Sequence, residues 1–298
     1  MSAPLKNKID FAVIIKVEKG ANPNGNPLDG NRPRVDYQNI GEISDVAIKR
    51  KVRNRLLDMG EKIFVQSDDR RAPGDPHKNL RQRAESVLGT EMDDMDATAL
   101  KACKEWLDVR SFGQVLPFKA KGKKTAKKKG KEEDAGDESS KSNTGISIPV
   151  RGPVSVQCAY SVVPIEVTAT SHSKSTSLEG DGTKREPDQF GIVKARLEKP
   201  AVYRLYGSMN AQLAERTTFS DQDAGKIKEA LRTLFRNDVS SARPEGSMSV
   251  EKLIWWPHKE KHGQYSSAKV HRSLTVKADG SYTLDRLPGL DVEEIDGE

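Results

Sequence analysis

Cysteine is nearly absent from this chain of 298 residues, which contains only Cys103 and Cys158. Two cysteines so far apart in sequence form neither a disulfide framework nor the close ligand spacing of a zinc site. The first ten residues lack the apolar stretch of a signal peptide, and no apolar run approaches the ~20 residues that span a bilayer. We therefore expect a cytoplasmic protein of a reducing compartment, with no membrane partner.

The motifs of common enzyme classes are also missing. Gly20, Gly25 and Gly30 form neither a phosphate-binding loop nor a dinucleotide fingerprint, because no Gly-Lys-Ser/Thr string follows them and no helix opens directly after them. His258 and His262 have the i, i+4 spacing of metal ligands, but a proline and a glycine bracket them and no third ligand is close. We predict that both histidines are exposed loop residues and that the chain has no catalytic residue, no metal and no cofactor.

Charge, by contrast, is abundant and unevenly distributed. The formal net charge is +6, yet the segment 285–298 carries six acidic residues and one arginine, so the rest of the chain is near +11. Such a cationic body favours a polyanion partner over the alternative of a merely soluble basic protein. Residues 119–131 contain eight lysines in thirteen positions, a run that cannot bury a core. We expect this run to be mobile and the segment 285–298 to be disordered.

The clearest secondary-structure pattern lies in the first 60 residues. Apolar residues alternate over 9–17, which predicts a half-buried strand. The segment 20–34 is punctuated by glycine and proline and is predicted to form a long structured loop. A helix is predicted from Asp45 to Met59, with Ser44 as its cap.

This helix is predicted to have an apolar stripe beside a basic face. The stripe comprises Ile48, Val52, Leu56 and Met59, and the basic face comprises Lys49, Arg50 and Arg53. Neither Lys49 nor Arg53 has a glutamate four residues away, so the face is expected to be almost unneutralised. The alternative is an ordinary solvated helix face.

The basic face directly follows the loop 20–34, whose polar side chains and backbone N–H groups suit phosphate. The phosphate-binding candidates of the loop are Asn22, Asn24, Asn26, Arg32 and Arg34. Asp29 and Asp36 could in principle position a metal for RNA cleavage. Two acids without a companion cluster more often serve turns, and that interpretation is preferred.

The remaining segments complete an α+β pattern. Helices are predicted around 78–88, around 95–108 and after the S-x-x-D start at Ser220, and strands are predicted at 148–160, 201–206 and 270–276. A long excursion between the first and second of these strands is interpreted as a projecting hairpin. With the insertions removed, the order of elements resembles the split βαβ of ferredoxin-like sheets, the fold of RNA-binding RRM domains.

Aromatic residues make up only 5% of the chain, and no RNP-type string of glycines and aromatics exists. Trp255 and Trp256 are predicted to lie in the core rather than on a base-stacking platform. A protein of this composition that holds RNA is expected to grip the backbone rather than read bases.

Several strings of the sequence resemble one protein family. Residues 22–36 (NPNGNPLDGNRPRVD), followed by residues 41–60, are similar to the N-terminal signature of the Csd-type backbone subunit of type I-C CRISPR Cascade, a crRNA-binding RAMP family. Further strings in the family's order are DVRSFG (108–113), RGPVSVQ (151–157), SHSKST (171–176) and SARPEG (241–246). The resemblance covers nearly the whole chain, apart from the lysine run and the acidic tail.

The resemblance implies an α+β architecture with three parts. They are a discontinuous RRM-like palm (1–60 and 147–284), a helical fingers insertion (61–146) that includes the lysine-rich loop 119–131, and a β-hairpin thumb (168–200); the acidic tail 285–298 follows. In this family, each thumb presses on the neighbouring subunit's stretch of guide and kinks one nucleotide out of line.

The resemblance also implies roles for individual residues. Lys49, Arg50 and Arg53 match basic positions that hold crRNA phosphates, beside the loop residues named above and Arg243 of SARPEG. The candidates for kinking the RNA are Phe190, Ile192 and Val193, with ordinary hairpin packing as the alternative. The lysine run is expected to attract target DNA through Lys119, Lys121, Lys123, Lys124, Lys127, Lys128 and Lys129.

The implied function is that of a non-catalytic backbone subunit in antiviral defence. Its expected partners are crRNA, target DNA and further copies of itself arranged head to tail. Other expected partners are the 5′-end RAMP endoribonuclease, the large and small Cascade subunits and the recruited helicase-nuclease. Two alternatives stay open: a metal-dependent RNA-cleaving RAMP protein, and a generic RNA-binding or assembly protein unrelated to CRISPR.

Overall fold

The computed structural model describes residues 3–71, 75–77, 79–89, 94–119, 145–172 and 192–298. The helices are α1 (Asp45–Asp58), α2 (Leu80–Leu88), α3 (Met95–Glu105), α4 (Leu107–Phe112), α5 (Ala211–Thr217), α6 (Asp221–Arg232) and α7 (Ser267–Arg272). Short 3-10 helices occur at Pro27–Asp29 and Asp68–Arg70. Among the described residues, no helix is long and apolar enough to cross a membrane.

The strands fall into two groups along the chain. Before the lysine run they are β1 (Ile9–Val17), β2 (Gly25–Asn26), β3 (Arg32–Pro33), β4 (Ile40–Ile43) and β5 (Gly113–Lys119). After it they are β6 (Gly145–Arg151), β7 (Val154–Val156), β8 (Ala159–Pro164), β9 (Val167–His172), β10 (Ile192–Leu197), β11 (Ala201–Met209), β12 (Met248–Pro257), β13 (Leu274–Val276), β14 (Tyr282–Leu284) and β15 (Glu293–Asp296).

A seven-stranded antiparallel sheet forms the centre of this mixed α/β protein. Its order is β15-β12-β1-β11-β8-β4, and β7 also pairs with β11. The central strand β1 pairs along its whole length with β11 on one side and β12 on the other. Both sheet edges are therefore short strands, which limits the unpaired backbone that the sheet offers.

The sequence correctly predicts β1, but its burial exceeds the prediction. Every residue of the strand except Lys16 is buried, so the half-buried prediction is wrong. Phe11, Val13 and Ile15 share a core with α1 and α6, whereas Ala12 and Ile14 pack against residues of α7 and β13 on the other face. Apolar residues therefore cover both faces of β1, whereas the alternating apolar pattern of its sequence predicts one covered face.

Helices α1 and α6 form as their sequences predict. Ser44 accepts a hydrogen bond from the Ala47 N–H and caps α1, and the stripe residues Ile48, Val52 and Leu56 are fully buried. Ser220 and Asp223 make a reciprocal capping box at the start of α6. The prediction that Trp255 and Trp256 lie in the core is also confirmed, since they are 3% and 2% exposed.

Three predictions about the second half of the chain need correction. The single strand predicted over 148–160 is divided among β6, β7 and β8, because the pairing partner changes from β5 to β11 along it. In the strand predicted at 270–276, Val270 belongs to α7 and only β13 is extended. The acidic tail is not disordered: its strand β15 pairs with β12.

The tail is ordered because its carboxylates find cations on its neighbours. Glu293 accepts from Lys228 of α6 at 2.5 Å, and Asp296 pairs with Lys252 of β12. Glu298, beyond the strand, pairs with Arg236. The acidic composition that suggested disorder is thus neutralised by residues far away in sequence.

Two further units extend from the sheet. Helices α2 to α4 and the β5–β6 ribbon surround a separate core that contains Phe64, Trp106, Leu116 and Ile148. The strands β9 and β10 form a second antiparallel ribbon, as the hairpin prediction requires. Lys121, Lys123, Lys124, Lys127, Lys128, Lys129 and Phe190 lie outside the described residues. Lys119 ends β5 and Ile192 begins β10.

Candidate nucleic-acid interface

The predicted phosphate-binding loop 20–34 meets two other segments at one end of β1. Gly20 N–H donates to the Leu197 carbonyl, and Leu197 N–H donates to the Ala21 carbonyl, both at 2.9 Å. Asn22 N–H donates to the carbonyl of Ala242 at 2.8 Å. The loop is therefore joined to the β9–β10 ribbon and to the segment 241–246.

Arg196 of β10 fastens this junction. Its guanidinium donates to the carbonyls of Gly20 and Ala242, each at 3.0 Å, and to that of Ser241 at 2.6 Å. Three carbonyl groups from two loops thus converge on one cation, which fixes the position of both loops relative to the ribbon. Arg196 is not among the predicted site residues, because hydrogen bonds to backbone carbonyl groups leave no pattern in the sequence.

The three candidate asparagines shape the loop with their own side chains. Asn22 is buried and donates from Nδ2 to the Asn31 carbonyl at 2.6 Å. Asn24 Oδ1 accepts from the Ser44 N–H at 2.9 Å, and Asn26 Oδ1 accepts from the Leu28 N–H at 3.2 Å. These bonds occupy the oxygens of Asn24 and Asn26, so the donors that the loop can offer an anion are their Nδ2 groups and backbone N–H groups.

Glycine is required inside this loop by a close approach of its own chain. A Cβ atom at Gly25 would lie 2.9 Å from the Asn31 carbonyl oxygen, closer than side chains come to backbone. Residue 30 has φ of +54°, a conformation that favours glycine. The loop is thus folded tightly enough to hold its backbone in one shape.

The charged residues of the loop divide into exposed and structural groups. Arg32 is 43% exposed and lies 3.8 Å from Asp29. Arg34 is half-buried, and its backbone is fixed by hydrogen bonds to Asn24 and Glu42. Arg32 is therefore the loop guanidinium that is better placed to meet a ligand.

Asp36 closes a turn, as the preferred interpretation of the sequence predicts. Its Oδ1 accepts from the N–H groups of Gln38 at 2.8 Å and Ile40 at 2.9 Å. Within the described residues, no group of three or more His, Cys, Asp or Glu side chains could hold a metal ion.

The basic face of α1 is largely neutralised, contrary to the prediction. Lys49 pairs with Asp45 at 2.9 Å, an aspartate at the i−4 position that a search for glutamate alone overlooks. Arg53 is 13% exposed and pairs with the buried Asp108 at 2.9 Å. Among the described residues, Arg50 has no hydrogen bond or ion pair, and it is exposed.

Asp108 explains why Arg53 is held so firmly. The carboxylate also accepts from the N–H groups of Phe64 at 2.7 Å and Val65 at 3.0 Å. The Arg53 guanidinium lies 5.1 Å from the centre of the Phe112 ring. Arg53 therefore joins α1 to the helical unit, a role that competes with the phosphate contact predicted for it.

A second buried ion cluster ties Arg243 to α1. Asp238 Oδ2 accepts from Arg243 Nε at 3.0 Å and also from Lys51, which is 2% exposed. Burial lowers the pKa of Lys51 to about 8. The sequence contains a signal for this position, since Lys51 lies three residues after Ile48 and therefore on the packed side of the helix.

Two of the three candidate RNA-kinking residues, Ile192 and Val193, lie on the ribbon. Val193 is 57% exposed on β10, next to the beginning of the strand at Ile192. An exposed apolar side chain on a two-stranded ribbon has no packing role within the described chain. This position suits contact with another molecule.

The prediction of two exposed histidines is wrong for His258. Its Nδ1 accepts from the Gln264 N–H at 3.0 Å, so Nε2 carries the proton and donates to the buried Asp10 at 2.9 Å. Asp10 also pairs with Lys8 at 2.9 Å. His262 is exposed as predicted. The polar cluster supports the end of the sheet opposite the loop 20–34.

Together, the fold and this junction define a mixed α/β protein that gathers glycine-rich and basic loops at one end of an antiparallel sheet. The sequence model of the family described as "CRISPR-associated protein Cas7" matches residues 7–290. The chain therefore belongs to the Cas7 family. A relative from Haloferax volcanii, described as "CRISPR-associated protein Cas7", is 26% identical over 271 residues, which are 88% of this chain and 74% of the relative.

Two solved structures are also similar to this chain. One, "CRISPR RNA-guided surveillance complex, pre-nicking", has a TM-score of 0.45 and 14% identity, over 84% of this chain and 78% of the other. A second, "CRISPR RNA-guided surveillance complex", has a TM-score of 0.44 and 15% identity, over 92% of this chain and 78% of the other.

Proposed function

We propose that this protein is the crRNA-binding backbone subunit of a type I-C CRISPR Cascade and that it is not an enzyme. The observation that carries the proposal is the junction of the loop 20–34, the β9–β10 ribbon and the segment 241–246, together with the exposed Arg50 of α1. Membership of the Cas7 family supports a role in CRISPR defence. The hydrogen bonds of the junction fix the loop and the ribbon relative to each other, and a fixed surface of this kind can hold an RNA backbone in one register.

The sheet acts in this proposal as an RRM-like palm. Along the chain the principal elements run β1, α1, β8, β11, α6 and β12, and in the sheet the strands run β12-β1-β11-β8. This is the connectivity of a split βαβ unit. We assign residues 1–60 and 147–284 to the palm, 61–146 to the fingers and 168–200 to the thumb, with 285–298 as a tail.

RNA is held by its phosphates in this proposal. Arg32 and Arg50 supply charge, and the tightly turned loop supplies backbone N–H groups. Both tryptophans of β12 are buried and therefore unavailable as stacking platforms. The protein thus leaves the bases free, and sequence recognition passes to pairing between the guide and its target.

Assembly of copies head to tail is supported by apolar side chains near the junction. Leu28 and Tyr37 are almost fully exposed, and Val46 in the first turn of α1 is 70% exposed. Exposed apolar side chains near a charged site mark a protein contact. The contact is heterologous, since the ribbon of one copy meets a different surface on the next, and such contacts propagate a filament.

The remaining partners follow from this placement. Target DNA pairs with the guide, and the lysine run 119–131 attracts it electrostatically. The 5′-end RAMP endoribonuclease, the large and small subunits and the helicase-nuclease complete the complex. No residue of this chain is assigned a catalytic role.

The test compares two double substitutions with the same change in charge. Arg32→Glu with Arg50→Glu should reduce crRNA binding at least ten-fold, because two phosphate contacts become repulsive. Arg272→Glu with Lys277→Glu, on exposed residues of another surface, should leave binding near wild type. Fluorescence anisotropy measures affinity, electron microscopy measures filaments, and circular dichroism checks the fold.

Equal binding by the two double variants would overturn the proposed interface. An Mg²⁺-dependent cleavage assay on guide and complementary RNA adds a second arm. Regularly spaced cuts that disappear in Asp29→Asn or Asp36→Asn would show that the protein is the RNA-cleaving alternative and not a non-catalytic backbone subunit.

A further inference from the structure

A second cationic site lies at the opposite end of the sheet from the junction. A cavity of about 410 Å³ opens between α3, the end of β6 and the end of α5, and we name it the seam cavity. It is lined by Asp96, Ala99, Leu100, Cys103, Pro149, Val150, Arg151, Arg216 and Thr217. None of these side chains belongs to the predicted RNA-binding, DNA-binding or RNA-kinking residues.

Strand β1 separates the seam cavity from the loop 20–34. Ile9, at the start of β1, pairs with Met209, two residues before α5, whereas the loop follows the other end of β1. Eight steps along a strand span roughly 26 Å. A ligand of the seam cavity therefore does not compete with a ligand of the junction.

The cavity contains a buried polar group without a partner. Thr217 is 2% exposed, and its Oγ1 has no hydrogen-bond partner among the described residues. A buried hydroxyl of this kind costs free energy unless a ligand or water satisfies it. The side chain therefore marks a place where an incoming polar atom is accommodated.

Two arginines give the cavity a positive charge. Arg151 and Arg216 are exposed, and neither has an ion-pair partner among the residues that the structure describes. Asp96 is the acidic residue of the lining, so the net charge of the lining is +1. In the neighbouring cavity, two of the three lining cations are paired: Arg110 with Asp223 and Lys226 with Glu61, each at 2.8 Å.

The rest of the lining is apolar. Leu100 is 40% exposed, and it lies in the wall with Pro149 and Val150. Burial raises the pKa of the Cys103 thiol to about 11, so this side chain acts as an apolar group. A ligand that matches the cavity has a flat, weakly polar part beside an anion that guanidinium groups can bind.

We propose that the seam cavity binds a nucleotide of a single polynucleotide strand, with its phosphate on Arg151 and Arg216 and its base or sugar against the apolar wall. This inference rests on the proposed function, since it adds a nucleic-acid contact outside the crRNA interface. Guanidinium groups bind phosphate in a bidentate manner, and apolar walls accept bases of any sequence.

Nucleic acid is favoured over an acidic peptide by the position of β6. Arg151 ends this strand at the cavity, and Gly145, at its other end, pairs with Lys119 of β5, where the lysine run begins. One ribbon thus connects the cavity to the strongest cationic run of the chain.

The experiment uses full-length protein loaded with crRNA and a labelled 20-nucleotide strand that does not pair with the guide. Arg151→Glu with Arg216→Glu should weaken binding roughly ten-fold and reduce the salt slope by about 0.7, the value for one phosphate of a single strand. Thr217→Val should weaken it a few-fold without lowering Tm, since the lost hydroxyl has no partner. The control is Arg272→Glu with Lys277→Glu.

Parallel titrations with a DNA strand and an RNA strand show which of the two nucleic acids the cavity binds more tightly. Equal affinities and salt slopes for the seam and control variants would overturn the proposal, as would full competition by polyglutamate at equal charge. Loss of crRNA assembly in the seam variants would also overturn it, because the cavity would then belong to the crRNA interface. The proposed function fails separately, on the Arg32 and Arg50 variants.

Discussion

The two sides of helix α1 carry the same kinds of cation in different states. Lys51 is buried and Arg53 is mostly buried, and they are bound to the carboxylates of Asp238 and Asp108, respectively. Arg50, the residue before Lys51, is exposed and has no ion pair with a described residue. The number of basic residues on a helix therefore overstates the positive charge that the helix offers a ligand. Carboxylates from other parts of the fold neutralise some of these residues, and only the unpaired ones are available.

The largest effect is expected from reversing the charge of Arg53. In Arg53→Glu, a carboxylate faces Asp108 in a buried site, and the loss should be about 3–5 kcal/mol of unfolding free energy. Arg50→Glu should change stability by less than about 0.5 kcal/mol, because its side chain is exposed. Urea denaturation followed by circular dichroism measures both variants.

RNA binding then separates the two roles. The comparison predicts that Arg50→Glu weakens crRNA binding in a folded protein, whereas Arg53→Lys, which keeps the charge but loses the planar donor geometry, destabilises the fold and has little direct effect on binding. A stable Arg53→Glu protein with lost RNA affinity would make Arg53 a phosphate ligand and contradict the comparison.

Local patterns predict the elements that depend on neighbours in sequence. Examples are strand β1, the apolar stripe of α1 and the capping box of α6. The apolar periodicity and the capping residues that predict them lie within about a dozen neighbouring residues. The pairing of Arg53 with Asp108 and of His258 with Asp10 depends on residues brought together by the fold. Burial of β1 on both faces was missed for the same reason, since the second layer comes from the far C-terminal part of the chain.

A smaller effect is expected at the acidic tail, where charges of both signs pair near the surface. Removing residues 292–298 should cost about 2 kcal/mol, since the partly buried Ile295 and the backbone pairing with β12 are lost. The triple variant Glu293→Gln, Asp296→Asn and Glu298→Gln keeps the backbone and should cost less than about 1 kcal/mol.

Salt distinguishes the two tail variants. The difference in unfolding free energy between wild type and the triple variant should become smaller in 1 M salt, because salt screens surface ion pairs. The difference between wild type and the truncated chain should largely remain. An equal cost for both variants at both ionic strengths would show that charge alone holds the tail, contrary to the packing argument.

The last effect concerns the excess charge of the cluster formed by Lys51, Asp238 and Arg243, in which two cations share one carboxylate. The folded pKa of Lys51 is about 8, below the value near 10.5 of an unfolded lysine. Between these values the unfolded chain binds the additional proton, so unfolding free energy should rise with pH from about 8 to about 10.5. Below pH 8 lysine is charged in both states, and the cost of burying the charge is fully present.

Lys51→Met isolates this contribution, because it removes the titrating group and retains the pair between Arg243 and Asp238. Thermal or urea unfolding of both proteins at pH 7.5, 9 and 10.5 should show wild type gaining on the variant as pH rises. Asp238→Asn provides the opposite change: two cations lose their shared carboxylate, and stability should fall at every pH below the lysine's titration. A difference between wild type and Lys51→Met that stays constant over the range would mean that Lys51 keeps its proton, and that Asp238 fully compensates its burial.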